Sequence, residues 1–379
     1  MDSKRIDIIV PCYNEEPIIE EFFENVQAVA KQINESGDFA NSYDFSYIFI
    51  DDGSTDGTLE QIKLLADRGV EDLTAVKYIS FSRNFGKEAA MYAGIKASAK
   101  GPEGGSPSDL AVIIDADLQH PPQLIAEMLH KMEETGCDTV AARRVNRKGE
   151  PKLRSAFARC FYKIMNRYCD IEIADGAVDF RLMNHAMVQA IADMPETQRF
   201  SKGLFAWVGF NTEWVEFENV KRIAGESKWS VWRLTKYAID GFIDFADSPL
   251  KFVGAFGGVI AVGSAIYLIV EVVKVLVMGK DTPGYASTIC LILFFGGMII
   301  LILGVIGEYI GRMYMETKRR PVYIKRESNI DSEGKIVSEI KGAPKRTFSP
   351  DIGIGADTEI ALENNAADNE DETEESISE

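Results

Sequence analysis

Short apolar runs, each ending in acids, glycine or proline and each followed by a helical pattern, set the rhythm of the chain. Residues 6–10 form a run short enough for a buried strand and stop at Pro11; Ile18, Ile19, Phe22, Phe23 and Val26 then recur at helical spacing behind Pro17. Residues 47–50 predict a second strand. It runs into DDGSTDG, where Ser54 or Thr55 and Asp56 can cap a helix through Leu65 and Gly53 permits a tight turn. Residues 76–81 predict a third strand leading through FSRNFGK to a helix with Ala89, Ala90, Tyr92 and Ala93, and residues 100–108 (KGPEGGSPS) predict a flexible surface loop. The run 111–114 predicts a fourth strand, cut off by Asp115-Ala116-Asp117 and followed by a helix that Pro121 and Pro122 open. Strands are further expected at 138–142 and 213–217, a helix at 153–168, and Trp207 in the core. Alternation of this kind predicts an α/β domain built on a parallel sheet.

The second half changes character. Residues 252–270 carry no charge, nor do residues 282–307, and each run meets the ~20 residues needed to cross a hydrocarbon core of ~30 Å. Just before them, Trp229, Trp232, Leu234, Tyr237, Phe242 and Phe245 interleave with Arg233, Lys236, Asp240 and Asp244, the pattern of a helix lying at a bilayer surface or packed on the soluble domain. Arg312, Lys318, Arg319, Arg320, Lys325 and Arg326 follow the second span, whereas Lys280 in the connection is balanced by Asp281. Positive-inside reasoning therefore puts both ends in the cytoplasm. The expected order is a cytoplasmic catalytic domain at 1–228, an amphipathic helix at 229–248, spans at 249–276 and 286–311 joined by an extracytoplasmic loop at 277–285, a basic segment at 312–350 and a disordered acidic tail at 351–379. Glycines 254, 257, 258, 263, 296, 297 and 304 would let the spans pack closely or associate between subunits as a homo-oligomer.

Composition adds two points. The net charge of −18 belongs mainly to the tail, which has eleven acids and no Lys or Arg, so the rest of the chain is unexceptional. Five cysteines without a CxxC pair or metal-finger spacing imply reduced thiols. The N-terminus reaches charges and a proline too soon for a signal peptide. No nucleic-acid partner is expected.

The candidate chemistry gathers at strand ends. Asp115 and Asp117, one residue apart at a strand's carboxyl end, can share a hard divalent cation with a nucleotide diphosphate; alone they read equally as turn formers. After the first strand, Tyr13 can stack on a base and Glu15 can accept from a ribose or base, or the acids simply favour a helix dipole. Capping does not require Asp52, a candidate for a base or ribose. Arg83 and Lys87 can offset phosphate charge, as can the run Arg143, Arg144, Arg147 and Lys148 and the loop carrying Arg222 and Lys228. Asp179 can orient an acceptor, act as a base, or pair locally with Arg181.

In order, VPCYNEE, DDGSTDGT, FSRNFGKEAAMYAG, DADLQHPP, DFRLM, KGLFAWVGF, GESKW and two spans resemble the family 2 glycosyltransferases of the GT-A fold. The resemblance is to membrane-anchored polyprenyl-phosphate glycosyltransferases, which include bactoprenol glucosyltransferases and relatives of dolichol-phosphate mannose synthase. It implies a mixed, mostly parallel sheet followed by an interfacial helix and two transmembrane helices. It assigns Pro11, Tyr13, Glu15 and Asp52 to the nucleotide, and Asp115, Ala116, Asp117 and Gln119 to the diphosphate and a Mg²⁺ or Mn²⁺, with Asp115, Asp117 and Gln119 as metal ligands. Arg143, Arg222 and Lys228 match phosphate-contacting cations, and Asp179 joins Asp117 as a catalytic residue near the reacting sugar carbon. The implied reaction is inverting transfer of glucose or N-acetylglucosamine from a UDP-sugar to polyprenyl (undecaprenyl) phosphate at the cytoplasmic membrane face, with a flippase and an extracytoplasmic transferase acting later. Mannosyl transfer from GDP-mannose and a non-catalytic membrane adaptor are the alternatives. A processive polysaccharide synthase should carry QxxRW and more spans, and a Rossmann dehydrogenase should carry GxGxxG after the first strand; neither motif is present.

Overall fold

The computed structural model describes residues 3–68, 75–100, 107–145, 174, 176–218 and 284–330, with helical positions at 256–260, 262–264, 266–267, 269–270, 273 and 276–277. The loop at 101–106, the helices expected at 153–168 and 229–248, half of the expected first span, Arg147, Lys148, Arg222, Lys228 and the acidic tail lie outside the described residues.

Eight strands form one sheet. In chain order they are β1 (Ser3–Cys12), β2 (Ser42–Asp51), β3 (Val76–Phe81), β4 (Leu110–Ile113), β5 (Thr139–Arg144), β6 (Ala177–Asn184), β7 (Thr212–Phe217) and β8 (Lys325–Ser328). Across the sheet the order is β7-β5-β6-β4-β1-β2-β3-β8, with β6 and β8 antiparallel to their neighbours. The chain thus winds outward from β1 in one direction through β2 and β3 and then in the other through β4, which opens a crevice between β1 and β4 at the carboxyl ends of the strands.

Period-two patterning supplies a core on each face. Ile6, Ile8 and Val10 of β1 and Tyr43, Phe45, Tyr47 and Phe49 of β2 point one way, under α1 (Ile19–Ser36), α2 (Thr58–Asp67) and α4 (Leu124–Thr135). Ile9, Ile48 and Ile50 point the other way, under α3 (Lys87–Lys100), α5 (His185–Ala192) and α6 (Ser201–Trp207). The α1 stripe of Ile19, Phe22, Phe23, Val26, Val29, Ala30 and Ile33 follows the helical period. In α3, Ala89, Ala90, Ala93 and Gly94 bring the helix flush to the sheet: a Cβ on Gly94 would fall 2.2 Å from Ile9 Cγ2. That close contact fixes where the first residue of α3, Lys87, emerges.

Several expectations need correction. Pro11 does not end β1, which pairs with β2 as far as Cys12. Its partner on the other side, β4, has parted from it after Ile9, so the N–H that proline lacks would have met no strand. Pro121 and Pro122 form a tight turn whose carbonyls accept from Leu124 and Ile125, and helical structure begins only at Leu124. Only Asp56 of the three proposed caps engages α2, accepting the Thr58 N–H at 3.1 Å; Ser54 and Thr55 bind Asn14 instead. Trp207 is 62% exposed and outside the core.

The segment after the second expected span also differs. Helix α7 (Tyr285–Thr317) is longer than the expected 286–311 and carries exposed apolar residues such as Ile292, Phe294, Ile299, Ile300 and Leu303. It is the one helix among the described residues long and apolar enough to cross a membrane. The chain then returns to the catalytic sheet as β8, antiparallel to β3. Tyr323 stacks on Phe81 with centroids 4.8 Å apart, Lys63 of α2 meets Glu327 at 2.7 Å, and Glu316 near the end of α7 accepts from the backbone N–H groups of Thr197 and Gln198. Without β8, β3 would be a bare sheet edge.

Candidate active site

The loops after β1 and β2 are laced to each other at the crevice. Asn14, at φ 56°, accepts the Thr55 N–H at 2.8 Å and donates its own N–H to Ser54 Oγ at 3.0 Å. The Glu15 N–H reaches Thr58 Oγ1 at 2.8 Å, and Gly57 N–H reaches Glu16 Oε2 at 2.8 Å. This lattice holds Tyr13 at the rim with its ring exposed. Asp51 turns inward to Ser80 Oγ. Asp52 is buried and accepts the backbone N–H groups of Phe85 and Gly86 at 2.6 and 2.9 Å. Burial pushes its carboxyl up to about 6, although those two hydrogen bonds pull the other way. Gly53 has φ +67°, and a Cβ there would lie 2.4 Å from the Arg83 carbonyl carbon, so the loop after β2 rests on the segment before α3.

The carboxylates meet on the other side of the crevice. Because β6 runs against β4, the register that ends at Ile113↔Arg181 carries Asp179 level with Asp115. Lys87 lies between them, its Nζ 2.7 Å from Asp115 Oδ1, 2.8 Å from Asp115 Oδ2 and 2.7 Å from Asp179 Oδ2. Burial alone would lower the Lys87 pKa, but the charges of Asp115 and Asp179 outweigh it and raise it above its ordinary value. Burial would likewise raise Asp179, but Lys87, then Lys202 of α6 and Arg181, hold it well below the usual carboxylate range. Both groups are therefore charged at neutral pH. Asp179 pairs with Lys87, not with Arg181, whose guanidinium lies 3.6 Å over the Phe205 ring.

Asp117 Oδ1 accepts the Gln119 N–H at 3.1 Å, across Leu118 at φ 54°. A leucine in the left-handed region is strained. That strained turn also brings in a group the sequence reading passed over. His120 is 6% exposed, with its ring beside Phe180 and Phe217, and its Nδ1 is buried, makes no hydrogen bond and lies 3.9 Å from Asp115 Oδ2. Burial keeps it neutral, lowering its pKa against the pull of Asp115. Ligand atoms of Asp115, Asp117 and His120 all fall within 4.8 Å of one another. Two carboxylates and a neutral imidazole fit a divalent cation such as Mn²⁺ or Mg²⁺. A histidine three residues beyond DAD was the available signal.

Thus Pro11, Tyr13, Glu15, Asp52, Asp115, Ala116, Asp117, Gln119 and Asp179 lie along one end of the sheet. Arg143, at the same end on β5, is ion-paired with Glu216 of β7. Arg222 and Lys228 lie outside the described residues.

Comparison with known proteins adds the following. The family described as Glycosyl transferase family 2 matches residues 7–192, and the one described as GtrB C-terminal hairpin matches residues 248–313. The protein CsbB of Bacillus subtilis (strain 168) is 43% identical over 333 residues, covering 88% of this chain and 94% of its own. A bactoprenol glucosyl transferase of Shigella phage SfII is 36% identical over 325 residues, covering 86% and 98%. Among solved structures, a mannosyltransferase from Pyrobaculum calidifontis in complex with GDP-Man and Mn²⁺ matches with a TM-score of 0.38 and 16% identity, covering 73% of this chain and 88% of that one.

Proposed function

Because the chain belongs to glycosyl transferase family 2 and is a glycosyltransferase of the GT-A type, we propose that it moves a sugar from a nucleoside-diphosphate donor to polyprenyl phosphate at the cytoplasmic face of a membrane. The observation that carries the reading is the crevice between β1 and β4, with Asp115, Asp117 and Asp179 on one wall and the laced loops of Tyr13, Glu15 and Asp52 on the other. The bactoprenol glucosyl transferase among the relatives supports a polyprenyl lipid as acceptor and glucose as the first sugar to test, with N-acetylglucosamine next.

Asp115 and Asp117, helped by His120 or Gln119, would hold the cation against the donor's diphosphate. When bound, the cation neutralises the charge that builds on the departing nucleotide as the sugar–phosphate bond breaks. Tyr13 and Glu15 receive the nucleoside, while Asp52 sets the backbone of residues 85–86 beneath Lys87. A lipid phosphate has a second pKa near ~6 and is largely a dianion at neutral pH, so it needs little help from a base. Asp179, kept ionised by Lys87, Lys202 and Arg181, accordingly orients sugar or acceptor. One in-line displacement inverts the anomeric centre.

Membrane placement draws on topology. β7 precedes the hydrophobic segments and β8 follows them, yet both belong to one sheet. A single crossing would leave them on opposite sides of the bilayer, so the number of crossings is even. Helix α7 supplies one, and the apolar run at 252–270 supplies the other. A polyprenyl tail, at ~0.8 kcal/mol per buried CH₂, stays in the bilayer, so the soluble donor must come to it. The test is transfer of labelled sugar from a panel of UDP-glucose, UDP-N-acetylglucosamine and GDP-mannose to undecaprenyl phosphate, with and without EDTA. Cation-dependent label in the lipid phase supports the reading; sugar released only to water overturns it.

A further inference from the structure

Lys87 stands where a cation's charge is wanted. Its ammonium engages both oxygens of Asp115 and one of Asp179 at 2.7–2.8 Å, whereas His120 Nδ1 stays 3.9 Å from Asp115. The backbone beneath it is anchored on both sides. Gly86 N–H is held by Asp52, and Glu88 accepts the Ser201 N–H at 3.0 Å and its hydroxyl. The side chain, by contrast, is 40% exposed, and a lysine's four-carbon stem has several rotatable bonds. So the helix end is fixed while the charge at its tip can move.

We propose that Lys87 is a positioning residue that acts as a built-in counterion, holding Asp115 and Asp179 in place of the divalent cation until the nucleotide diphosphate arrives. The proposal rests on the glycosyltransferase reading and assigns a role within that site. A divalent ion at Asp115 would be repelled by the ammonium that already engages both of its oxygens, so a cation alone must compete with Lys87 and binds weakly. The donor's diphosphate alters that balance by bringing negative charge that both the metal and the displaced ammonium can share. Cation and nucleotide then bind synergistically, because each lowers the cost of the other's arrival. Lys87, released from Asp115, remains next to Asp179 and meets the phosphate charge that the donor brings.

The test is Mn²⁺ binding to the purified full-length protein in detergent, followed by the paramagnetic resonance of free Mn²⁺, with and without UDP. In the native protein Mn²⁺ should bind weakly alone and much more tightly with UDP. Lys87→Gln should bind Mn²⁺ alone about tenfold more tightly and gain less from UDP, since one opposing charge is gone. Lys87→Arg, which keeps the charge, should behave as the native protein does. Native affinity for Mn²⁺ alone in the Gln variant overturns the proposal. Should that variant fail to fold, Lys87→Met retains the stem without the charge and must show the same tightening or count against it. Because the deciding comparison uses Mn²⁺ without nucleotide, it stays readable even if sugar transfer to lipid is not found.

Discussion

Asp52 accepts the Gly86 N–H at 2.9 Å and so ties the loop after β2 to the start of α3, directly beneath the lysine that bridges the two carboxylates. The burial of that carboxyl has a pH signature, because it raises the pKa against the pull of the two hydrogen bonds. The folded protein holds the Asp52 proton up to about pH 6, above the ordinary value of 3.8, so between those limits it binds more protons than the unfolded chain. Stability from this group is full below the unfolded pKa and is lost as pH rises through the window. Melting temperatures of the native protein should carry that downward component between pH 4 and about 6, and Asp52→Asn should remove it. An Asn variant with the native slope would show that Asp52 is not the group responsible.

Gly53→Ala should be among the more damaging single-methyl additions. The position needs φ +67°, and the new Cβ would lie 2.4 Å from backbone that cannot rotate away. A loss of roughly 2 kcal/mol or more is expected, read from the denaturant midpoint. Weaker nucleotide binding should accompany it, since the displaced backbone leads to Asp52 and residues 83–86. A loss of only a few tenths would mean that the two loops are not in contact.

At the returning strand, packing should outweigh charge. Tyr323→Ala removes a ring stacked on Phe81 and set edge-on to Tyr92, for about 2–4 kcal/mol. Glu327→Gln removes a partly exposed ion pair with Lys63 and should cost under about 1 kcal/mol. Thermal melts of the two variants check the ranking, and the reverse order would contradict it.

The sequence made β1 to β4 and the acids that follow them legible because their signals are local. β3 runs from Val76 to Phe81, the range that its apolar run predicts, and the stripe of α1 needs no knowledge of its partner. β8 was invisible for the opposite reason. Lys325, Arg326, Glu327 and Ser328 show no apolar alternation, and they become a strand only because the edge of β3 offers unpaired hydrogen-bonding groups. The site divides in the same way. Asp115 and Asp117 could be picked out as acids at a strand end, and Asp179 through the DFRLM match to the family, but the pairing of Asp179 with Lys87 depends on the β4–β6 register and on how closely α3 packs. His120 stands three residues beyond DAD, but that spacing alone does not turn its ring toward the acids; its burial and its unsatisfied nitrogen are visible only in the folded chain.

The central claim is that the acids of the DAD turn carry sugar transfer to lipid. It is tested most directly by the Asp115→Ala, Asp117→Ala double variant, assayed for labelled sugar passing from the donor to undecaprenyl phosphate. Transfer should fall by about a thousandfold or more while the protein keeps its fold. Transfer at the native rate would contradict the account.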